Sequence, residues 1–142
     1  MKKNRLSAVY EFDFALIGIV STVKEYKLAW YLNQHNLFRL VKAEDIKIEF
    51  TDNKFIRVSN LIHEDDYSLV HLLRNKLVSS NNGPVNFLVP ELSQFDYLLK
   101  LRNTVDENWS DLVFQKIKDI DIADYITRIE VEKIKQKENL LF

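Results

Sequence analysis

The chain has 142 residues, of which 46% are hydrophobic and 29% charged, a composition typical of one globular domain with its own core. The only glycines are Gly18 and Gly83, which excludes the glycine-rich phosphate loops of dinucleotide-binding and P-loop proteins. Because the chain has no cysteine, it has no thiol nucleophile, disulfide, iron–sulfur cluster or thiolate zinc site.

The charges are almost balanced, with 20 Lys and Arg against 21 Asp and Glu, for a formal net charge of −1. Nucleic-acid-binding proteins usually carry a basic excess, because release of counterions from the phosphates drives their association. The composition therefore argues against a nucleic-acid partner. No apolar run approaches the roughly 20 residues that span a bilayer, and acidic residues interrupt the N-terminal stretch that would otherwise resemble a signal peptide. We expect a cytoplasmic protein that does not bind membranes.

The first half of the chain predicts a strand, a helix and a hairpin. Alternation over residues 10–14 and an apolar run over residues 15–20 predict a strand that enters the middle of a sheet. Thr22 and Glu25 have capping-box spacing, and a helical pattern with Trp30 on its apolar face covers residues 23–35. Two β-rich runs, at residues 46–50 and 55–62, enclose turn residues and predict the hairpin.

The second half predicts more strands and a second helix. Strand-like runs cover residues 67–74, 85–89 and 97–102, with a loop at residues 79–84. Pro90 and Glu91 suit the first turn of a short helix. A second helix over residues 106–119 precedes a last strand over residues 125–131. We expect Trp30 and Trp109 to be buried, one under each helix.

The order of these elements predicts the α+β class. Strand–helix–strand occurs twice, beside an antiparallel hairpin, which favours a ferredoxin-like sandwich with a largely antiparallel sheet and two main helices on one face. The alternative is another α+β arrangement with a longer antiparallel meander. We expect a single domain over residues 1–142 with a short charged C-terminal tail at about residues 132–142.

Residues 89–97 read VPELSQFDY and resemble the signature that names the IPExxxVDY family, a group of small bacterial proteins. Four residues match the signature outright: Pro90, Glu91, Asp96 and Tyr97. Val89 and Phe95 are apolar exchanges. Residues 11–19 (EFDFALIGI) and 137–142 (KENLLF) are also similar to members of that family, so the resemblance spans essentially the whole chain. It implies a bacterial protein but no particular activity.

Glu91 and Asp96 are the candidate catalytic carboxylates, because two carboxyl groups in different environments can act as acid and base. Five positions apart, they do not share a helix face, where neighbours are three or four residues apart. A structural role is the stronger interpretation: Glu91 favours a helix N-terminus, and Asp96 caps a turn or forms an ion pair. The sequence therefore assigns no catalytic residue.

The sequence also predicts no metal site and no cofactor. His35, His63 and His71 lack the spacing of zinc ligands. Residues 119–130 have some acidic spacing of a calcium loop, but they lack its glycine and one of its oxygen ligands. No serine lies in the glycine-flanked elbow of a hydrolase.

These exclusions favour a non-catalytic interaction module that forms a homo-oligomer or binds a protein partner. The alternative is a small metal-independent hydrolase or isomerase that uses Glu91 or Asp96 with a histidine, which would require these groups to converge in one pocket. RNA binding is a third hypothesis, and it would require Lys and Arg residues clustered on one face of the sheet.

The candidate docking tail consists of three apolar residues that follow a charged run: Leu140, Leu141 and Phe142. Apolar side chains at a chain end are unusual, since ends are commonly frayed and polar. These residues either pack on the protein's own sheet or dock on another molecule. We expect docking, because the charged residues 132–138 resemble a solvated spacer.

Overall fold

A six-stranded antiparallel sheet is the centre of the fold in the computed structural model, which describes residues 14–50, 54–77, 86–135 and 137–141. The strands in these ranges are β1 (Ala15–Val20), β2 (Val41–Lys42), β3 (Ile46–Phe50), β4 (Lys54–Val58), β5 (Asn60–Glu64), β6 (Ser68–Arg74), β7 (Lys76–Leu77), β8 (Asn86–Phe87), β9 (Tyr97–Asn103) and β10 (Tyr125–Ile129). The α-helices are α1 (Glu25–Asn33) and α2 (Trp109–Ile117), and 3₁₀ turns cover Pro90–Leu92, Val131–Lys133 and Lys137–Leu140.

The order of strands in the large sheet is β10-β1-β9-β6-β5-β2, and every neighbouring pair is antiparallel. Two small sheets, β3-β4 and β7-β8, accompany it. Strand β1 lies between β10 and β9, with Gly18 opposite Thr127 and Leu98. Its continuous apolar run is therefore explained by burial on both faces. The predicted α+β class, with a largely antiparallel sheet, is confirmed.

Both α-helices pack on one face of the sheet. The strands contribute alternate residues to this side of the core, as the period of a strand requires: Ile17, Ile19, Val70, Leu72, Leu99, Leu101 and Ile126. The helices contribute residues three or four positions apart: Leu28, Ala29, Leu32, Val113 and Ile117. The prediction that the two main helices share one face agrees with these contacts.

The opposite face of the sheet is covered without an α-helix. Leu16, Leu73 and Leu98 point to this side. The hairpin β3-β4 packs on it through Val58 and partly buried isoleucines, and the segment around the Pro90–Leu92 turn contributes Val89 and Leu92 to the same cluster. Both faces of the central strands are therefore inaccessible to water.

Helix α1 begins later and in a different orientation than the sequence predicts. Its N-cap position is Lys24, and no side chain caps it, so the expected capping box of Thr22 and Glu25 does not form. The buried stripe consists of Leu28, Ala29 and Leu32. Trp30 lies about half a turn from this stripe and is 57% exposed, so the prediction that it is buried was wrong.

Other elements follow the prediction with shorter bounds. Trp109 is partly buried and packs against the helix side of the core, 6.4 Å from the ring of Phe38. Helix α2 begins at Trp109 because the preceding residues form side-chain-capped turns, in which Asn103 Oδ1 accepts hydrogen bonds from the amides of Val105 and Asp106. The β-rich run at residues 55–62 divides at Ser59 into β4 and β5. The predictions for residues 10–13 and 79–84 lie outside the described residues.

The end of the chain packs on the protein itself. We call the sheet face opposite the α-helices the second face, and its buried apolar residues the second-face cluster. Leu140 is fully buried in this cluster, and its carbonyl oxygen accepts a hydrogen bond from Lys100 Nζ. Asn139 Nδ2 donates to the carbonyl of Leu88 at 2.8 Å. Leu141 is exposed, and Phe142 lies outside the described residues. The expectation that this tail docks on another molecule was therefore wrong for Leu140, because the second face of the sheet supplies an apolar site within the chain.

No helix in the described part of the chain is long and apolar enough to cross a lipid bilayer.

Replacing Leu140 by alanine should lower the free energy of unfolding by about 2–5 kcal/mol, since a fully buried leucine would leave a cavity. Leu141→Ala is the matched control, because this neighbouring leucine is exposed, and its effect should stay within about 0.5 kcal/mol. Urea denaturation of the two variants measures both values. Equal effects would show that Leu140 is not part of the core.

Candidate functional site

Residues 89–97, which carry the signature, lie on the second face of the sheet, and we call them the strap. The buried residue Asn75 holds the strap in place through hydrogen bonds. The side-chain amide of Asn75 donates to the carbonyls of Leu92 and Phe95, at 2.8 and 3.0 Å, and its Oδ1 accepts from the amide of Val89 at 2.9 Å. Pro90 lies in the first turn of the 3₁₀ helix, as predicted, where its missing amide hydrogen is not needed. One asparagine thus holds both ends of the strap.

Phe95 packs directly on β1 because Gly18 has no side chain. A Cβ atom built on Gly18 would lie 2.6 Å from the Phe95 ring, which is closer than real Cβ contacts. Phe95 is 4% exposed and belongs to the second-face cluster. The glycine in the apolar strand and the aromatic residue in the signature are therefore two halves of one contact.

Asp96 and Tyr97 attach the strap to the start of α1. The Asp96 carboxylate accepts a hydrogen bond from the amide of Ser21 at 2.9 Å, and the Asp96 amide donates to the carbonyl of Ile19 at 3.0 Å. Tyr97 is buried, and its hydroxyl donates to the carbonyl of Val23 at 2.6 Å. Burial raises the pKa of the Tyr97 phenol, so the group stays a protonated donor at neutral pH.

The candidate catalytic groups do not converge. Glu91 is exposed on the 3₁₀ turn, whereas Asp96 is held by Ser21. The Asn75 amide donates a hydrogen bond to the carbonyl of Asp96, so these two residues are neighbours. His71 precedes Asn75 by four positions along an extended segment, which separates the Cα atoms of His71 and Asn75 by about 13 Å. The register places His63 opposite Val70, one position further from Asp96. Neither His63 nor His71 therefore lies beside Asp96 as a partner for acid–base chemistry.

Both ring nitrogens of His63 are used in hydrogen bonds. Nδ1 accepts from the amide of Arg39 at 3.0 Å, so Nε2 carries the proton and donates to Asp65 Oδ2 at 2.8 Å. The amides of Tyr67 and Ser68 and the Ser68 hydroxyl also donate to Asp65. These donors, led by the Tyr67 amide, hold the pKa of the Asp65 carboxyl well below its usual range. The pair is a structural clamp, with no lone pair on His63 left for a general base.

A polar pair lies inside the second face, where His71 on β6 is opposite Lys100 on β9. Both residues are 8% exposed. Burial lowers the pKa of Lys100 to about 8, and burial together with the charge of Lys100 lowers the pKa of His71 to about 4. His71 Nδ1 lies 3.1 Å from Asn60 Oδ1, so this nitrogen carries the proton of the neutral ring. At neutral pH His71 is neutral and Lys100 is charged.

Two polar contacts fix α1 in place. The side chain of Asn33 pairs with the backbone of Leu40 in both directions, accepting from its amide at 2.8 Å and donating to its carbonyl at 3.1 Å. At the other end of the helix, Ser59 donates to the Glu25 carboxylate and accepts from Lys42 Nζ at 2.6 Å. These contacts at both ends set which side of the helix faces the solvent.

The outward side of α1 carries two large aromatic side chains, which we call the aromatic face. Tyr26 is 67% exposed and Trp30 is 57% exposed. They are four positions apart and therefore neighbours on the helix surface. This surface was not predicted from the sequence, because Trp30 was assigned to the core. The spacing of leucine and alanine at Leu28, Ala29 and Leu32 was the signal that would have placed Trp30 outside.

A groove of about 640 Å³ continues from the aromatic face toward β5. Residues from α1, the following segment and β5 line it, among them Trp30, Asn33, Leu37, Phe38, Arg39 and His63. Asn36 at its edge has a left-handed backbone, with φ of 58°, a conformation that asparagine tolerates better than most residues. The groove combines apolar side chains with a cation and amide groups. None of the signature residues lies in it.

A scan against protein-family models and a search of curated proteins found no match to this chain. Among the residues that the structure describes, no three His, Asp or Glu side chains are grouped so that they could hold a metal ion.

Gly18→Ala should destabilise the protein by about 1–3 kcal/mol, because the new methyl group would overlap the buried Phe95 ring. The effect should be at least about 0.5 kcal/mol smaller in a Phe95→Leu background, since contacting sites couple in a double-mutant cycle. Urea denaturation of the single and double variants measures this coupling. Strictly additive effects would contradict the proposed contact.

Stability should fall as the pH drops from about 6.5 to about 4, because the unfolded chain protonates His71 near pH 6.5 and the folded protein only near pH 4. The full contribution, up to about 3 kcal/mol, is present above pH 6.5 and lost below pH 4. His71→Gln should flatten this part of the curve measured by chemical denaturation. An unchanged slope in the variant would assign the titration to another group.

Proposed function

We propose that this chain is a non-catalytic cytoplasmic module that binds a protein partner through the aromatic face and the groove beside it. The exposure of Tyr26 and Trp30 carries the proposal. Fully burying one such side chain is worth about 1.5–3 kcal/mol, so two on one helix side represent substantial unused binding energy. Tyr and Trp are also the residues most enriched among interface hot spots.

The use of the polar groups elsewhere supports a binding rather than a catalytic role. Both ring nitrogens of His63 form structural hydrogen bonds, and the Asp96 carboxylate binds the Ser21 amide. A hydrolase or isomerase that uses Glu91 or Asp96 is less well supported, since Glu91 is exposed and neither His63 nor His71 lies beside Asp96 in the strand register. RNA binding on the sheet is less well supported as well, because described elements cover both faces.

We also propose that the architecture is a ferredoxin-like sandwich. Strand β1 precedes α1, and β9 and β10 flank α2. These three strands lie side by side in the order β10-β1-β9, with β6 next to β9, and both helices pack on the same face. Strands β5 and β2 then extend the sheet beyond β6. The match of Pro90, Glu91, Asp96 and Tyr97 to the IPExxxVDY signature supports membership in that family.

The interaction is tested by affinity purification from the native cell with three forms of the tagged protein. Trp30→Ala should lose captured partners, because it truncates the aromatic face. Tyr125→Ala is the matched control: its side chain is equally exposed, at 58%, but lies on β10 at the edge of the sheet. The wild type and the control should capture the same proteins, quantified by mass spectrometry.

Capture of the same proteins by all three forms would contradict the proposed surface. Turnover of a substrate by the purified protein, abolished by Asp96→Asn but not by Trp30→Ala, would favour the enzyme instead. Light scattering on the purified wild type separates a protein partner from a second copy of the chain.

A further inference from the structure

The groove beside the aromatic face contains a cation that has no acidic partner among the described residues. Arg39 lines the groove, and in the described part of the chain its guanidinium forms no ion pair or hydrogen bond. Lys27 precedes Trp30 by one helical turn and likewise has no acidic partner among the described residues. Two cations thus accompany the exposed indole ring.

Asp65, the acid bonded to the groove residue His63, already has its hydrogen-bond acceptor sites occupied. Asp65 contacts the groove residue His63, but it accepts hydrogen bonds from His63 Nε2, from the amides of Tyr67 and Ser68 and from the Ser68 hydroxyl. A carboxylate has about four acceptor sites, and these donors use them. Arg39 therefore keeps its capacity to bind a carboxylate supplied from outside.

We propose that the groove binds an acidic peptide segment of a partner protein, in which carboxylates alternate with apolar side chains. This proposal rests on the proposed function and specifies its partner. The planar guanidinium of Arg39 takes a peptide carboxylate, since this geometry permits two parallel hydrogen bonds. Trp30 and Leu37 provide the apolar contact for a neighbouring side chain, and Lys27 attracts a further acidic residue.

Peptide backbone also suits the groove better than nucleic acid does. The amide side chain of Asn36 lines the edge and can donate to or accept from a peptide group. Nucleic-acid binding draws most of its affinity from many phosphate contacts, whereas this surface offers two cations on a chain of net charge −1. The observations favour a short acidic and apolar sequence.

An array of twelve-residue peptides tests the proposal, with the number of Glu residues and of Leu or Phe residues varied independently. The wild-type protein should bind peptides that contain both kinds of residue and should bind their Lys counterparts far less. The affinity for the best peptides, measured by fluorescence anisotropy, should decrease as the ionic strength rises.

Charge and aromatic variants identify the site on the protein. Arg39→Glu should weaken binding of the best peptides by about tenfold to a hundredfold, the usual effect of losing a hydrogen bond to a charged group. Lys116→Glu is the matched charge control, because Lys116 is an exposed cation on α2. Trp30→Ala should weaken binding and Tyr125→Ala should not.

The proposal is wrong if Arg39→Glu and Lys116→Glu bind the acidic peptides equally well, or if peptide charge has no effect. Preferential binding of a single-stranded oligonucleotide over every peptide would replace it with a nucleic-acid site. A Trp30-dependent dimer in light scattering, without peptide binding, would assign the groove to a second copy. Partner capture that depends on Trp30 but not on Arg39 would leave the proposed function intact and overturn this inference alone.

Discussion

The absence of a side chain at Gly18 is the constraint on which the second face of the sheet depends. The Phe95 ring occupies the space that a Cβ atom would take, so the strap can lie directly on the central strand. This close approach brings Asp96 within reach of the Ser21 amide and lets Tyr97 enter β9 with its hydroxyl on Val23. The signature residues therefore act together as a fastening between the strap, the sheet and the start of α1.

The distribution of polar contacts separates a structural part of the molecule from an exposed aromatic surface. Some polar side chains use their hydrogen-bonding capacity within the fold. Asn75 binds carbonyl groups of the strap, and Asp65 accepts a hydrogen bond from His63. Helix α1 is fixed at both ends, through Glu25 and Asn33, and its aromatic face remains in water. A rigid helix that presents aromatic side chains loses little conformational entropy on association, which favours specific binding.

The strands and the architecture class follow from hydrophobic periodicity, whereas the orientation of α1 does not. Alternation and apolar runs locate β1, β6 and β9 to within a few residues, because burial on both faces leaves a clear pattern. In α1, the hydrophobicity of Trp30 suggests a core position, but the packing of Leu28 and Leu32 excludes it. The hydrogen bonds of the Asn75 side chain and of the Arg39 amide join residues distant in sequence, which periodicity does not encode. The burial of Leu140 depends likewise on a site that the assembled second face creates.

The contact between Lys100 and the carbonyl of Leu140 bears on how the protein is made. During synthesis, β9 leaves the ribosome some forty residues before the segment that covers it, and chains elongate at roughly 5–20 residues per second. Until that segment emerges, Lys100 lacks one of its contacts, the carbonyl oxygen of Leu140. Strand β10, which completes the other side of β1, also emerges in this interval. For several seconds of synthesis the second face of the sheet therefore lacks the segment that contributes Leu140 to its core.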